Sequence, residues 1–152
     1  HELPSKTRAY RAEREPDWEH SLLESVSANL PLLAPVEYLE NKAKLRLRLP
    51  DQRQQTVHIR FDRQDHEGNQ LITLLSYCGA DSPDMYDLAL EENSAYSYGA
   101  LGLGTLGETP MFVVSDNQLA ETADPPEIEQ AILHIARKAD AVEALLTGAD
   151  VH

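Results

Sequence analysis

Residues 125–147 have the sequence PPEIEQAILHIARKADAVEALLT, the longest strongly periodic segment of the chain. Its apolar residues recur every three or four positions, which predicts one apolar stripe along a helix of about six turns. The stripe consists of Ile128, Ile132, Ile135, Ala139, Val142 and Leu146. Asp124 and Glu127 have the spacing of a capping box, and Pro125 suits the first helical position. Gly148 is the expected stop. The segment predicts a core helix packed across a sheet, with a dimer contact as an alternative role.

Length and composition limit the class of protein. A chain of 152 residues is expected to form one domain with a hydrophobic core of its own. The lone cysteine, Cys78, excludes an internal disulfide, and we expect it to be a small buried hydrophobe rather than a nucleophile. No apolar run approaches the roughly 20 residues of a membrane span, and the polar N-terminus lacks the features of a signal peptide. A cytoplasmic protein is therefore expected.

The charge is unevenly distributed along the chain. The net charge of −13 argues against nucleic acid and anionic membranes as partners. Residues 1–63 contain 11 Lys and Arg against 10 Asp and Glu, whereas residues 64–152 contain 2 against 16. Such a division suits a self-complementary contact or a polarised binding surface, or it simply favours solubility.

The order of helical and alternating patterns predicts an α+β fold. Residues 1–15 are expected to be a flexible lead-in, and residues 16–152 a single domain. A first helix is predicted over 16–29 and a second over 82–95. Strands are predicted over 44–49, 57–61, 71–78, within the glycine-rich run 99–107, and over 111–114. With the C-terminal helix the order is α-β-β-β-α-β-β-α, one antiparallel sheet with helices packed on it. Breaks are expected at 109–110 and a turn at 116–117.

This layout resembles the type III secretion chaperone-like fold, including YbjN-type proteins. The resemblance is carried by Gln-Thr-Val-His-Ile at 55–59, Asp-His-Glu-Gly at 65–68, the strand ending in Cys78-Gly79, the segment 93–99, the strand 111–114, and the helix opened by Asp124-Pro125. It covers about residues 16–148. The resemblance implies a bacterial, commonly homodimeric, non-enzymatic protein that binds a partner polypeptide, with no catalytic residues to assign. The basic first hairpin is a departure from it.

Several short motifs are candidates for chemical sites. Residues 102–107 match G-x-G-x-x-G, but Pro110 and a β-branched run follow where a dinucleotide site needs a helix. Glycines that permit close approach of a backbone, or of Trp18 or a tyrosine, explain the run better. The histidines lack metal-ligand spacing, and His66 is expected in a solvated turn. No cofactor or metal is therefore predicted. Tyr96 and Tyr98 are spaced to share one strand face.

The strongest candidate site is a group of basic side chains in the first hairpin. If its two strands pair, their side chains share one face, where like charges would cost stability. We call this group the basic cluster; it consists of Lys44, Arg46, Arg48, His58 and Arg60. It predicts either a docking surface for acidic residues of a partner or second copy, or pairing with acidic residues of the same chain.

These patterns favour a non-enzymatic module that holds a partner polypeptide as a homodimer. An amphipathic or extended partner segment would be buried on the first helix, through Trp18 and Leu22, and on the basic cluster. Charge complementarity would set its orientation. Two alternatives remain open at this point: a regulatory or accessory domain of a larger protein, and a small enzyme whose site the sequence does not display.

Overall fold

The computed structural model describes the backbone of residues 17–151 and the side chains of residues 17–147. Within these residues, three α-helices and one antiparallel sheet form an α+β fold, as the sequence predicts. The helices are α1 (Trp18–Ser27), α2 (Tyr86–Ser94) and α3 (Pro125–Val151). The strands are β1 (Glu37–Leu39), β2 (Lys42–Arg48), β3 (Gln54–Gln64), β4 (Gln70–Ala80), β5 (Ala100–Leu106) and β6 (Thr109–Leu119). The predicted lead-in at 1–15 and Pro16 lie outside the described residues.

The six strands are arranged in the order β1-β2-β3-β4-β6-β5, and every neighbouring pair is antiparallel. Strands β2 to β4 form the predicted meander. Strand β1 was not predicted, because three residues are too short to show a period. Its turn at Glu40 and Asn41 brings Leu39 opposite Lys42, and Asn41 has a positive φ of 60°, which asparagine tolerates well.

Helix α3 packs across β3, β4 and β6 through the predicted apolar stripe, every member of which is buried. It meets Val57, Ile59, Ile72 and Leu74, which point to the same face of the sheet. Helix α1 lies beside α3 on that face and buries Leu23 and Val26. The lone cysteine, Cys78, is fully buried in this core as predicted, and burial raises the pKa of its thiol to about 12.

The predicted ends of the helices differ in detail from the structure. Asp124 Oδ1 accepts a hydrogen bond from the Glu127 N–H at 2.9 Å, so the N-terminal cap of α3 is confirmed. Helix α3 does not stop at Gly148 but runs to Val151. A glycine in the last turn costs only about 1 kcal/mol of helix propensity. The segment predicted as one helix over 82–95 is a 3₁₀ turn, Pro83–Met85, followed by α2.

Two predicted interruptions of the last strand are wrong, because β6 runs unbroken through both. Asp116 and Asn117 pair with β4, and Asn117 Oδ1 accepts a hydrogen bond from the Thr73 hydroxyl at 2.6 Å. Cross-strand pairing thus overrides the turn propensity of the Asp-Asn dipeptide. Thr109 and Pro110 also lie inside β6. The turn that precedes β6 consists instead of Gly107 and Glu108, and Gly107 has a φ of +62°.

Tyr96 and Tyr98 do not share a strand face, because they lie in the connection between α2 and β5. Tyr96 is half-buried with the Lys138 ammonium 4.8 Å from its ring centre, whereas Tyr98 is exposed and packs edge-on against His134. The five-residue connection, residues 95–99, contains no strand.

Candidate functional site

One face of the sheet carries the candidate site. Helices α1 and α3 pack on the face that bears Val57 and Ile59, and none of the helices in residues 17–151 packs on the opposite face. We call this opposite side the outer face. Antiparallel sheets commonly bury one face and expose the other, which gives strands of alternating apolar and polar residues. The outer face of β2 and β3 is polar for this reason.

The structure places the whole basic cluster on the outer face. In β2, Lys44, Arg46 and Arg48 alternate with the buried side chains of Ala43, Leu45 and Leu47. The pairing register sets Lys44 opposite His58, Arg46 opposite Thr56 and Lys42 opposite Arg60. Directly opposed side chains in an antiparallel pair lie about 5 Å apart at Cβ. Lys44 and His58 are therefore immediate neighbours.

Most of this positive charge is not neutralised by the described residues. Arg60 forms an ion pair with Asp62 at 3.1 Å. Within residues 17–151 no ion pair is formed by Lys44, Arg46 or Arg48, and Arg46 makes only a long hydrogen bond of 3.5 Å to Gln54. Among the described residues, intramolecular ion pairing, the alternative explanation of the cluster, is seen for Arg60, and Glu37 lies opposite Lys44 in the β1–β2 register.

A concavity of about 560 Å³, here called the outer cleft, opens beside these free cations. Its lining combines cations, amides, a hydroxyl, aromatic rings and one exposed leucine. It also includes two carboxylates, Glu37 from β1 and Glu143 from α3. Other lining side chains are Lys44, Arg46, Gln54, Gln55, Thr56, His58, Tyr77 and Leu106.

The outer cleft exists because β3 and β4 separate at one end. Their backbone pairing stops at His58 and Leu75, although both strands continue in that direction. The buried side chain of Gln55 bridges the gap and donates hydrogen bonds to Ser76 Oγ and to the Tyr77 carbonyl, both at 2.9 Å. Since backbone groups in a sheet need partners, the Gln55 amide substitutes for the missing ladder.

His58 and Tyr77 form the aromatic wall of the outer cleft. Their rings meet edge to face with centroids 5.3 Å apart, and the Tyr77 hydroxyl donates to the Thr105 carbonyl at 2.9 Å. Burial, and secondly the positive charge of Lys44, lower the pKa of His58 below its usual range. A carboxylate bound between His58 and Lys44 would favour the protonated imidazole and so oppose the effect of Lys44.

Trp18 and Leu22 lie on the other side of the molecule. Trp18 packs edge-on against Phe61, with ring centroids 5.6 Å apart. The side chains of Trp18 and Leu22 are half-buried against the core. Phe61 points to the helical face of the sheet, so the structure does not bring these two residues together with the basic cluster. Of the binding surface expected from the sequence, only the basic cluster therefore lies on the outer face of the sheet.

Sequence reasoning found the cations but missed the other half of the outer cleft. Gln54 and Thr56 share the strand parity of His58, so alternation alone was a sufficient signal for them. Tyr77 and Leu106 carried no such signal. Tyr77 joins the site because β4 lies beside β3, and Leu106 joins it because β6 and β5 follow β4 in the sheet.

The remaining motifs gain no chemical role from the structure. Residues 102–107 form the edge strand β5 and a turn into β6, and no helix follows them. His66 lies in a turn where Asp65 Oδ1 accepts from the Glu67 and Asn69 N–H groups at 2.9 Å. Across residues 17–151, no group of three or more potential ligand side chains is arranged to hold a metal ion. No helix in the same part of the chain is both long and apolar enough to cross a membrane.

Comparison with known proteins adds no family assignment. No protein-family model matches the sequence, and no curated protein matches it significantly. The resemblance to the secretion-chaperone-like fold stays a prediction, and the site must be interpreted from its own geometry.

Proposed function

We propose that this chain is a non-enzymatic protein-binding module that holds an acidic segment of a partner polypeptide on its outer face. The observation that carries the proposal is a row of three cations, Lys44, Arg46 and Arg48, that form no ion pair within the described residues, on a sheet face where none of the helices in residues 17–151 packs. Spaced two residues apart along β2, they repeat every ~7 Å, which matches alternate side chains of an extended partner.

The outer cleft beside the cations supplies the rest of the contact. Tyr77 and Leu106 offer apolar surface, and Gln54 and Thr56 offer hydrogen-bonding groups. Aromatic anchors supply much of the energy of protein interfaces, whereas charges at the rim set orientation and the rate of encounter. We propose that acidic partner side chains engage Lys44 and Arg46 while an apolar one enters the cleft.

The resemblance to secretion chaperones supports a bacterial, cytoplasmic homodimer as the working form of the module. The charge division also suits a self-complementary contact between copies, since residues 64–152 contain 16 Asp and Glu against 2 Lys and Arg, whereas residues 1–63 contain 10 against 11.

The test uses a matched pair of charge reversals. Arg46→Glu changes the outer cleft, whereas Arg137→Glu makes the same charge change at an exposed position of α3, on the helical side. Each variant serves as bait for affinity capture from the source cell, with mass spectrometry as the readout. Because reversal converts an attraction into a repulsion, we expect Arg46→Glu to weaken partner binding roughly tenfold, and high salt to act in the same direction.

A second measurement locates the contact without knowledge of the partner. Amide chemical shifts are recorded while a peptide of alternating glutamate and valine is added. We expect the perturbed amides to lie in β2, β3 and the end of β4, and to be unaffected by Arg137→Glu. Equal loss of the captured partner in both variants, or shifts confined to α1 and α3, would refute the assignment to the outer face.

A further inference from the structure

We propose that a cavity beside helix α3 binds a small organic guanidinium ion, a ligand with a flat cationic head and a short apolar tail. This cavity, here called the α3 cavity, has a volume of about 550 Å³ and shares no lining residue with the outer cleft. Its volume falls in the range of small-molecule sites. The inference does not depend on the partner binding proposed above, and the two are tested by different variants.

The α3 cavity exists because β5 is shorter than β6. Their pairing begins at Ala100, so the last four residues of β6 have no partner in β5. Gly99 turns the chain at this point with φ of +73°, and a Cβ built on it would lie 3.7 Å from Asp116 Cβ. Tyr98, the residue before it, forms the outer wall of the cavity. Its ring meets the His134 ring edge to face, with centroids 5.5 Å apart.

Strand β6 supplies two polar side chains on a face that is otherwise apolar. Asp116 and Gln118 continue the alternation of Phe112 and Val114, which are buried in the core. Asp116 and Gln118 are both half-buried, and neither side chain forms an ion pair or a hydrogen bond with another described residue. Partial burial of a carboxylate and an amide without partners costs free energy. A ligand that offers N–H donors would remove this cost.

Helix α3 supplies the facing wall through side chains three and four positions apart. Glu127, Gln130 and His134 lie on one side of its first three turns, and the small side chain of Ala131 leaves room between them. His134 Nε2 is buried and has no hydrogen-bond partner among the described residues. Buried polar atoms are nearly always hydrogen-bonded, and a neutral imidazole accepts at one nitrogen. This nitrogen is a further acceptor for a ligand that reaches it past the exposed ring of Tyr98.

The charges of the lining select a cation. Asp116 and Glu127 contribute carboxylates, and no Lys or Arg lines the cavity. The sequence from residue 64 to residue 136 contains neither of them. A metal ion does not fit, because within residues 17–151 the side chains of Asp116, Glu127 and His134 are not arranged to hold one. The acceptors are instead spread around the cavity, which suits a larger ligand with several donors.

A guanidinium ion matches this arrangement better than an ammonium ion does. Its planar fork carries five N–H donors, pairs with a carboxylate through two parallel hydrogen bonds, and stacks on aromatic rings. It is also more weakly hydrated than an ammonium ion, so it loses less on entering a half-buried site. In the proposed complex Asp116 binds the fork, the Gln118 and Gln130 carbonyl oxygens accept from its outer N–H groups, and the Tyr98 ring covers its face.

Matched ligands test the charge and the shape of the head group. N-Butylguanidinium and N-butylurea have nearly the same size and differ in charge, and each is titrated into the full chain while amide chemical shifts are recorded. We expect N-butylguanidinium to shift the amides of residues 98–99, 116–118 and 127–134. N-Butylurea should bind at least about tenfold more weakly, because charge-assisted hydrogen bonds are the stronger ones. n-Butylammonium should bind about threefold more weakly or less, because its head is compact and more strongly hydrated.

Matched variants test the position of the site. Asp116→Asn and Asp87→Asn each remove one negative charge, the first inside the α3 cavity and the second at an exposed position of α2. We expect Asp116→Asn to raise the dissociation constant of N-butylguanidinium at least about tenfold. Asp87→Asn should change it less than about twofold, since it alters only the screened attraction of the whole chain for cations. Ala131→Leu fills the cavity from a helical position that leucine tolerates well, so it should abolish binding and leave the far-UV circular dichroism unchanged.

Several results would overturn the proposal. These are equal affinity for N-butylurea, equal effects of Asp116→Asn and Asp87→Asn, undiminished binding by Ala131→Leu, and shifts confined to other parts of the chain. Tighter binding of a capped glycine-arginine-glycine peptide than of N-butylguanidinium would overturn the small-molecule ligand in favour of an arginine side chain of a polypeptide. Partner capture is scored separately through Arg46→Glu, so either proposal can fail while the other stands.

Discussion

Replacing Gly99 by alanine tests the close approach of backbone that the glycine-rich run was expected to serve. Gly99 precedes β5 and has φ of +73°. A Cβ atom built there would lie 2.9 Å from the Ser115 carbonyl oxygen and 3.2 Å from Ile135 Cδ1. Gly99→Ala thus combines an unfavourable backbone conformation with a steric overlap between strand β6 and helix α3.

The two costs can be estimated separately. A positive φ costs a residue with a Cβ about 1–2 kcal/mol. Overpacking in a well-packed interior typically costs a further 1–3 kcal/mol or so. We expect Gly99→Ala to lower the free energy of unfolding by about 2–5 kcal/mol, a large share of the total stability of a domain of this size. Urea unfolding followed by far-UV circular dichroism measures it, provided that the m value stays constant.

Two other glycines provide matched controls. Gly68 has φ of +83° with nothing within 4 Å of a built Cβ, so Gly68→Ala carries only the conformational cost, about 1–2 kcal/mol. Gly102 has neither feature, and Gly102→Ala should be neutral or stabilise the fold by up to about 1 kcal/mol. The reasoning is refuted if Gly99→Ala and Gly68→Ala destabilise equally, because the Ser115 carbonyl and Ile135 would then move aside at no cost.

Two further predictions concern the thiol of Cys78, which is buried, and the imidazole of His58, which is half-buried. Because burial raises the pKa of the Cys78 thiol to about 12, Ellman's reagent should modify it at pH 8 only as fast as the chain unfolds, a rate that absorbance measures directly. The pKa of His58 is lowered by burial and by Lys44, so the unfolded chain takes up this proton more readily than the folded one. The contribution of His58 to the free energy of unfolding should therefore be fully present above about pH 6.5 and decrease below it, by at most about 1.4 kcal/mol per pH unit. His58→Gln should remove this pH dependence, which urea unfolding at a series of pH values measures.

Each of these predictions has its own opposing result. Rapid modification of the thiol without unfolding would show that Cys78 is accessible through local opening of the core. A His58→Gln variant with an unchanged pH profile would show that another group governs stability in that range. His66→Gln is the control, since His66 is an exposed turn residue.

The parts of the fold that the sequence predicted are those in which local periodicity and burial coincide. The stripe from Ile128 to Leu146 is buried along its whole length, and the alternation in β2 separates Leu45 and Leu47 from Arg46. A helix repeats every 3.6 residues and a strand every 2, so the face of each side chain follows from its position alone. The basic cluster was predictable for this reason.

The errors arose where partners distant in sequence decided the outcome. Asp116 and Asn117 form a common turn pair, but their pairing with β4 and the bond from Thr73 hold them in β6. Trp18 and Leu22 were expected beside the basic cluster, yet α1 packs on the opposite side of the sheet, with Trp18 against Phe61. Amphipathic patterns identify which side of an element is apolar, but they do not state which face of a sheet it covers.

The sequence by itself determined the kinds of element, the composition of each face and the division of charge. Only the tertiary structure decided that none of the helices in residues 17–151 packs on one face of the sheet, that Tyr77 and Leu106 join the cations in the outer cleft, and that β5 lies at an edge. The physical reason is that periodicity belongs to the local backbone, whereas strand order and the occupation of backbone hydrogen-bonding groups depend on contacts between distant segments. The outer cleft arises from those distant contacts.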